Sequence, residues 1–375
     1  MTLRSSSDKP IGVIGAGNFG TVIANIIARN RKVLLYARND DVVKKILDKR
    51  ENRGHKMSRN VLPTSDMEYL ASQCDVIFPI VPSSHFRSVI RELAPYLHPY
   101  HILIHGTKGF DIKLPKGETL HSVKSLSRQQ VRTMSEVIQE ETVVVRVGCL
   151  AGPNLAKELS QRQPGATVVA SHFQEVIQTG KRLLRNDRFQ VYENYDLVGV
   201  EIAGVLKNII AIASGALSGL GYGENAKGLL ISRGAVEMVY LGSVLGGDTK
   251  TFLGVAGLGD LVTTCNSPMS RNYTVGYRLA KGEKLKDILE DMEEVAEGVN
   301  TIQIAKKCSD YYKVRPLITD TLYKVLFKGM TVQDALDYLM RYPTECGYKT
   351  LRYKTPRTEP GKLRYSLFSV RHSTF

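Results

Sequence analysis

The residue in this chain with the clearest chemical potential is Lys207, the single cation in the long apolar stretch Asp196–Gly219. At helical spacing Lys207 shares a face with Gly204 and Ala211, whose small side chains allow another group to approach closely. Burial of a lone ammonium costs several kcal/mol or lowers its pKa until it loses its proton. Lys207 is therefore either a structural lysine with an acidic partner or one that meets a polar or anionic ligand inside the protein.

Two later segments could complete such a site. Asp260 follows a glycine-rich run and either caps a helix or pairs with Lys207, holding the ammonium and tuning its pKa. Ser270, Arg271 and Asn272 stand at a predicted helix start. Arginine binds phosphate through two parallel hydrogen bonds, so this segment suits a phosphate group. The alternative is a Ser270 cap beside a solvated Arg271.

A glycine-rich turn near the start of the chain predicts a dinucleotide site. The apolar run Ile11–Ile14 ends in the pattern G-x-G-x-x-G, and Thr21–Ala28 then has helical periodicity. In this setting Gly15 permits a tight turn, Gly17 lets a pyrophosphate reach the backbone, and Gly20 permits close helix–strand packing. The helix start would add free N–H groups and a positive dipole end. An ordinary tight turn is the alternative.

The next strand, Val33–Ala37, ends at Arg38. An acidic residue at this position would bind the ribose 2′-hydroxyl of NAD, whereas an arginine accommodates the 2′-phosphate of NADP. Arg38 therefore favours NADP(H) or dual use, with a solvated strand-end arginine as the alternative. The acids Asp40 and Asp41, which follow directly, weaken this interpretation.

Two further strands end in turns that could bind a ligand. Asp75–Val81 precedes a turn in which we expect Ser84 to cap a helix over His85–Tyr96. Ile102–His105 is followed by Lys108, which stands between glycines and is well placed for an anion, although loop lysines are often only solvated. Open α/β sheets bind ligands at the carboxyl ends of their strands.

The remaining pattern predicts the architecture. Strands alternate with helices as far as about residue 195, which indicates a doubly wound, Rossmann-like parallel sheet in an α/β protein. Helical periodicity alone follows, so we expect an all-α C-terminal domain. The predicted strands are Thr142–Val147, Ala166–Ala170 and Phe189–Tyr192, and the predicted helices are Glu175–Leu184, Asp196–Gly219, Ala226–Leu245, Leu285–Asp291, Val299–Tyr312, Pro316–Lys328 and Thr331–Met340.

This pattern divides the chain into a dinucleotide-binding domain (1–195), a helical substrate domain (196–345) and a basic tail (346–375). The Lys207 helix would cross between the two domains, and ligands prefer such clefts. Phe110–Glu141 is predicted as a loop with one helix. Glu297, in a later loop, could accept hydrogen bonds from a cofactor or simply end an acidic run.

Composition narrows the function. The 375 residues include 51 Lys and Arg against 37 Asp and Glu, a net charge of +14 that attracts anions. The basic residues are spread along the chain and Trp is absent, which argues against a nucleic-acid partner. Five widely spaced cysteines without a C-x-x-C pair indicate reduced thiols and no metal site. We see no signal or transmembrane segment and expect a cytoplasmic protein.

Eight motifs together resemble the NAD(P)-dependent sn-glycerol-3-phosphate dehydrogenases. They are, in order, GAGNFG, VPSSHFR, GTKGF, GPNLAKEL, LKNIIAIASG, GLGDLVTTC, SRN and EGVNT, and they cover about Ile11 to Tyr342. VPSS and SRN look more like the bacterial-type branch, which tends to accept NADPH. The resemblance implies reversible reduction of dihydroxyacetone phosphate to sn-glycerol 3-phosphate with NAD(P)H, for phospholipid synthesis, by a metal-independent homodimer.

The resemblance also implies roles for individual residues. Lys207 matches the catalytic lysine, which would act as general acid and base. Substrate-binding positions are Lys108, Gly152, Asn154, Asp260, Ser270, Arg271 and Asn272. Cofactor-binding positions are Gly15, Gly17, Asn18, Phe19, Gly20, Arg38, Lys108, Ala156, Arg271 and Glu297. Phe19 stands where the family often has tryptophan, and both Asp111–Glu141 and the tail depart from the family's length.

Three other functions are compatible with parts of the sequence. Another two-domain dehydrogenase, acting on a hydroxyacid or sugar acid, would prefer carboxylate substrates without phosphate. A dinucleotide-sensing protein with a structural Lys207 would bind NAD(P)H without oxidising it. A basic nucleic-acid-binding protein would show steeply salt-dependent affinity.

Overall fold

The computed structural model describes residues 9–292 and 295–341. Its strands, numbered along the chain, include eight that form one central sheet. The strands are β1 Ile11–Ile14, β2 Val33–Tyr36, β3 Glu51–Asn52, β4 His55–Lys56, β5 Val61–Thr64, β6 Val76–Pro79, β7 Ile102–His105, β8 Asp111–Ile112, β9 Val131–Arg132, β10 Arg146–Ala151, β11 Gly165–Ser171 and β12 Phe189–Asn194.

The central sheet has the order β12-β11-β10-β7-β6-β1-β2-β5. The chain moves from β1 towards β2 and β5 and then returns to β6 on the other side of β1. The carboxyl ends of β1 and β6 therefore flank the switch point, where such sheets bind ligands. The predicted doubly wound sheet followed by helices is confirmed.

One strand pair departs from the fully parallel prediction. β10 and β11 pair antiparallel, with Cys149 opposite Ala170. The connection between them holds only a five-residue helix, Ala156–Ser160. A helix that short cannot carry the chain back along a seven-residue strand, so β11 starts near the end where β10 finishes.

Several short elements were missed in the sequence. Strands β3 and β4 have two residues each, too few to show periodicity, and β5 includes Pro63, which interrupts a strand pattern and suits an edge. Within the segment predicted as a loop and one helix, Asp111 pairs with Arg132 in a two-residue ladder. The one predicted helix is present at Met134–Glu141.

The six helices predicted after residue 195 agree with the observed ones to within a few residues. The helices of all the described residues are numbered here along the chain. The helices are α1 Asn18–Ile27, α2 Asp40–Lys49, α3 Met67–Gln73, α4 Ser83–Leu93, α5 Met134–Glu141, α6 Ala156–Ser160, α7 Gln174–Leu184, α8 Leu197–Gly219, α9 Glu224–Val244, α10 Thr249–Phe252, α11 Asp260–Cys265, α12 Arg271–Ala280, α13 Leu285–Asp291, α14 Glu297–Tyr312, α15 Leu317–Phe327 and α16 Val332–Arg341.

Helix α8 forms the centre of the later, helical part. In the described part of the chain it alone is long and apolar enough to cross a membrane, but 94% of its most apolar window is buried inside the protein. Helix α12 crosses it closely at two glycines: a Cβ at Gly215 would lie 1.9 Å from the carbonyl oxygen of Tyr273, and one at Gly276 would lie 1.8 Å from that of Ile212. This crossing places the start of α12 against α8.

The described residues up to Met340 form one compact unit. The boundary between residues 195 and 196 stays a proposal, because the sheet and the helices pack together within that unit. The predicted tail, 346–375, lies outside the described residues.

Candidate active site

A single carboxylate, Asp260, lies between two lysine ammonium groups. Nζ of Lys207 is 2.9 Å from Oδ1 of Asp260, and Nζ of Lys108 is 2.5 Å from Oδ2. Lys207 also donates to the hydroxyl of Thr264. Lys207 and Asp260 are 6% and 2% exposed, so water is largely excluded from their contact. The predicted contact between Lys207 and Asp260 is therefore present, and two cations with one anion leave a net positive charge.

Three elements bring these side chains together. Lys207 lies in α8, Lys108 follows β7, and Asp260 is the first residue of α11. A Cβ added at Gly204 would lie 3.8 Å from both Cδ and Cε of Lys108, so the lysine stem passes over this glycine. The close approach predicted beside Lys207 is thus made by Lys108. The capping alternative for Asp260 is wrong, because Gly259 occupies the N-cap position of α11.

Burial and charge set the protonation of this cluster. Burial lowers the pKa of Lys207, the carboxylate of Asp260 raises it, and the ammonium of Lys108 lowers it, giving a value of about 8. Burial would raise the pKa of Asp260, but Lys108 and Lys207 outweigh that effect and hold it below its usual value. A lysine that titrates near neutrality beside a permanent carboxylate can give and take a proton.

The start of α12 presents the predicted phosphate-binding segment. Ser270 caps the helix by accepting from the backbone N–H of Tyr273, so the Ser270 cap is present, while the role of Arg271 stays a prediction. Arg271 is exposed, whereas Asn272 is buried and its Oδ1 accepts from the backbone N–H of Gly298. This bond leaves the Nδ2 amide as the group that Asn272 could offer a ligand.

The glycine-rich turn between β1 and α1 has the geometry that a dinucleotide requires. Gly15 has φ +113°, and a Cβ there would lie 2.2 Å from the carbonyl oxygen of Ile80. A Cβ at Gly20 would lie 1.9 Å from the carbonyl oxygen of Gly15, whereas one at Gly17 would meet no atom within 4 Å. Gly17 therefore exposes its backbone at the start of a ten-residue helix, which fits a pyrophosphate.

Four other residues predicted to contact the cofactor, Asn18, Phe19, Ala156 and Arg38, lie around this turn. Asn18 is the first residue of α1, and Phe19 and Ala156 pack against the same apolar core of the sheet. Arg38 is exposed just beyond the carboxyl end of β2. Asn52, which sequence reasoning missed, donates from Nδ2 to the carbonyl oxygen of Ala16 at 2.8 Å and holds the turn.

Glu297 reaches the start of α4 from the first turn of α14. Its Oε1 accepts from the backbone N–H of Ser83 at 2.9 Å, and its Oε2 accepts from the Ser83 hydroxyl at 2.5 Å. The expected Ser84 cap is wrong: α4 begins at Ser83, Pro82 occupies the cap position, and Glu297 satisfies the backbone N–H instead. Whether Glu297 also contacts the cofactor stays a prediction.

The loop after β10 adds an acceptor. Gly152 has φ +152°, and its carbonyl oxygen lies 3.4 Å from Nζ of Lys108. Asn154 donates from Nδ2 to the Thr167 hydroxyl, and its buried Oδ1 has no hydrogen-bond partner among the described residues. Buried polar atoms are normally paired, so this oxygen is suited to a ligand hydroxyl.

The structure thus joins Lys207, Lys108, Asp260 and Gly152 by direct contacts. Thr264 was missed in the sequence, where only its place one turn after Asp260 could have indicated its role. Among the described residues, no group of three or more His, Cys, Asp or Glu side chains could hold a metal ion. The described cysteines, Cys74, Cys149, Cys265 and Cys308, are buried and free.

Comparisons with known proteins agree on the family. A family model for the NAD-dependent glycerol-3-phosphate dehydrogenase N-terminus matches residues 10–177, and one for its C-terminus matches residues 196–337. The curated glycerol-3-phosphate dehydrogenase [NAD(P)+] of Teredinibacter turnerae is 40% identical over 88% of this chain and 94% of its own length. That of Bacillus subtilis is 37% identical over 88% of this chain and 94% of its own.

A solved structure supports the same assignment. The crystal structure of glycerol-3-phosphate dehydrogenase from Coxiella burnetii has a TM-score of 0.79 and 31% sequence identity, and covers 89% of this chain and 99% of that one. A ketopantoate reductase from Ralstonia eutropha, with a TM-score of 0.51 and 14% identity, shares the fold alone. This chain belongs to the NAD(P)-dependent glycerol-3-phosphate dehydrogenase family.

Proposed function

We propose that this protein reversibly reduces dihydroxyacetone phosphate to sn-glycerol 3-phosphate with NAD(P)H, and so supplies glycerol 3-phosphate for phospholipid synthesis. The observation that carries the proposal is the buried Lys108–Asp260–Lys207 cluster beside the dinucleotide turn. The two sites adjoin, because a Cβ at Gly106 would lie 3.1 Å from the ring of Phe19. The cluster therefore supplies positive charge and a proton where a cofactor meets its substrate.

A nicotinamide dinucleotide held at the glycine-rich turn would supply a hydride to C2 of the substrate, or accept one from it in the reverse direction. As the carbonyl carbon gains the hydride, its oxygen becomes negative and must be protonated. The ammonium of Lys207 stabilises this charge and donates the proton from Nζ, and the neutral amine takes it back in the reverse direction. Asp260 holds that ammonium in place, and Lys108 adds a second positive charge. Proton transfer of this kind contributes about 10²–10⁴-fold to the rate.

The substrate phosphate is assigned to the start of α12. Arg271 offers a guanidinium, Asn272 offers its amide, and Ser270 precedes them at the cap. Binding of the phosphate group, which does not itself react, holds the substrate carbonyl in the correct position for the reaction. Asn154 Oδ1 is assigned to a substrate hydroxyl, since it is a buried acceptor in need of a donor.

Arg271→Ala is expected to raise the KM for dihydroxyacetone phosphate by at least about tenfold, because a charge-assisted contact to phosphate is lost. The matched control is Arg278→Ala on the same helix, whose guanidinium pairs with Glu283 and Asp291 instead. Steady-state kinetics of both variants provide the measurement. An unchanged KM in Arg271→Ala would remove this residue from the phosphate site.

NADPH is proposed as the favoured form of the cofactor, because Arg38 is exposed where the 2′-phosphate would lie. Arg38→Ala should weaken NADPH binding by about tenfold or more and NADH binding much less. Fluorescence titration with each nucleotide measures this, and Arg31→Ala, at the opposite end of β2, is the control. Equal losses for the two nucleotides would contradict the assignment.

We also propose a homodimer in the cytoplasm. Leu229 and Val236 on α9 are 46% and 60% exposed, which supports an apolar contact with a second copy. The buried free cysteines support a reducing compartment. Sedimentation of the pure protein and cell fractionation test these two points, and a monomer or a membrane-bound pool would contradict them.

The direct test of the activity uses the absorbance of the reduced nicotinamide. Dihydroxyacetone phosphate is added to enzyme with NADH or NADPH, and unphosphorylated dihydroxyacetone serves as the matched control. We expect oxidation of the nucleotide with the phosphorylated ketone and far slower oxidation without the phosphate. Binding of both nucleotides without any oxidation would contradict the proposal and favour a dinucleotide sensor.

A further inference from the structure

A second buried pair, His105 and Glu201, lies beneath the active site and has no part in the chemistry above. His105 is the last residue of β7, and Glu201 lies in α8. Nε2 of His105 is 2.9 Å from Oε1 of Glu201, and the two residues are 1% and 7% exposed. Neither ring nitrogen of His105 makes a hydrogen bond of full geometry in the part of the chain that the structure describes, so the polar contact of this ring is the close approach of the Glu201 carboxylate to Nε2.

Glu201 is itself held by a third element. The backbone N–H of Ser135, in the first turn of α5, donates to Oε1 at 2.9 Å, and the Ser135 hydroxyl donates to Oε2. Burial would raise the pKa of Glu201, but His105 and the bonds from Ser135 outweigh it and hold the pKa below its usual value. The carboxylate is therefore fixed in place, and it fixes the end of β7 through His105.

The His105–Glu201 pair lies next to the catalytic cluster along α8. Gly204 is three residues from both Glu201 and Lys207, so it neighbours each of them on the surface of α8. His105 lies against Glu201, and the stem of Lys108, three residues later, lies against Gly204. The strand extension from His105 to Lys108 thus runs alongside the helix turn that leads to Lys207.

We propose that His105 is a positioning residue. Its contact with Glu201 holds the segment from His105 to Lys108 in the position in which Lys108 and Lys207 both contact the Asp260 carboxylate. Lys108 is 22% exposed in its side chain and could otherwise swing towards solvent, since lysine stems are flexible. The pair therefore controls how close the two ammonium groups are. This inference rests on the proposed function only where it predicts rates.

The consequence is a change in the titration of Lys207. The ammonium of Lys108 is one of the groups that lower the pKa of Lys207 to about 8. Among the described residues, Asp260 and Cys265 also face Lys207, while Glu201 and the β10 register partner Cys149 lie beside His105. If Lys108 moves away, its repulsion weakens, and the pKa of Lys207 rises.

The test compares two double variants that leave no unpaired carboxylate. His105→Gln with Glu201→Gln keeps a polar bridge, because two amides can hydrogen-bond across the same gap. His105→Ala with Glu201→Gln loses the bridge. The control is His101→Ala, which removes another buried histidine just before β7, whose ring lies 3.1 Å from the carbonyl oxygen of Ala71. Each of the four proteins, including the wild type, is first checked for a cooperative thermal transition, which is the criterion that it is folded.

The primary measurement is a carbon NMR titration of Cε of Lys207 in lysine-labelled protein, which requires no activity. We expect a near wild-type titration in the bridged variant and in His101→Ala, and a titration at higher pH in the unbridged variant. With dihydroxyacetone phosphate, the unbridged variant should also lose about 10- to 100-fold in kcat/KM, the cost of a small misplacement.

Two results would overturn the inference. One is a wild-type Lys207 titration in the unbridged variant, and the other is an equal shift in His101→Ala, which would show general loosening. A protein that titrates as expected but does not reduce the ketone would instead count against the proposed function, so the two failures are distinguishable.

Discussion

Lys207→Ala is expected to lower kcat for reduction of dihydroxyacetone phosphate by about 10²–10⁴-fold or more, because the proton donor is lost. The fold should survive, since Asp260 keeps Lys108 as a partner and no buried charge is left unpaired. The dinucleotide turn lies on β1 and α1 and should still bind NADPH. The measurements are steady-state kinetics and nucleotide titration of the same preparation.

The matched control is Lys284→Ala, which removes an exposed lysine just before α13. It should keep wild-type kinetics. Full activity in Lys207→Ala would refute the assignment of this residue, and loss of nucleotide binding together with turnover would show that the variant had lost its fold rather than its proton donor.

Asp260→Asn is expected to be nearly as damaging, for a different reason. Without the carboxylate, the attraction that raises the pKa of Lys207 is gone, while burial and Lys108 still lower it. The ammonium of Lys207 would then lose its proton at a pH below about 8. We expect kcat/KM for reduction to fall by about 10²-fold or more at neutral pH. The basic limb of its pH profile, where kcat/KM decreases as the pH rises, should shift to lower pH.

Asp48→Asn, an exposed change in α2, is the control for Asp260→Asn. A variant with reduced activity but an unshifted basic limb would show that Asp260 serves only the fold. The direction of the shift also separates this variant from the unbridged His105 variant, which should move the limb to higher pH.

Local patterns made much of the site predictable. The glycine turn follows from spacing within six residues, and the structure gives Gly15, Gly17 and Gly20 the geometry that their predicted roles require. A lone lysine in an apolar helix calls for an acidic partner or a polar ligand, and Asp260 is a candidate partner because it follows a glycine-rich segment. Both inferences depend on the chemistry of a few neighbouring residues and do not require knowledge of how the rest of the chain folds.

Long-range contacts were less predictable. Lys108 was predicted to bind an anion, but its share in the Asp260 carboxylate depends on a contact between the loop after β7 and the start of α11, which are 152 residues apart in the chain. Glu297 satisfies the start of α4 from 214 residues away, so a local Ser84 cap was the wrong expectation. The antiparallel β11 likewise depends on the length of its connection rather than on its own alternation.

The most direct test of the central claim is the pH dependence of kcat/KM for the wild-type enzyme in both directions. It is measured above about pH 7, where the substrate phosphate is mostly in its doubly charged form. With the pKa of Lys207 at about 8, reduction should be constant below that pH and fall in proportion to proton concentration above it. Oxidation of sn-glycerol 3-phosphate should rise up to the same pH and then level off. Profiles with no common break between about pH 7 and pH 10 would contradict the claim that Lys207 carries the proton.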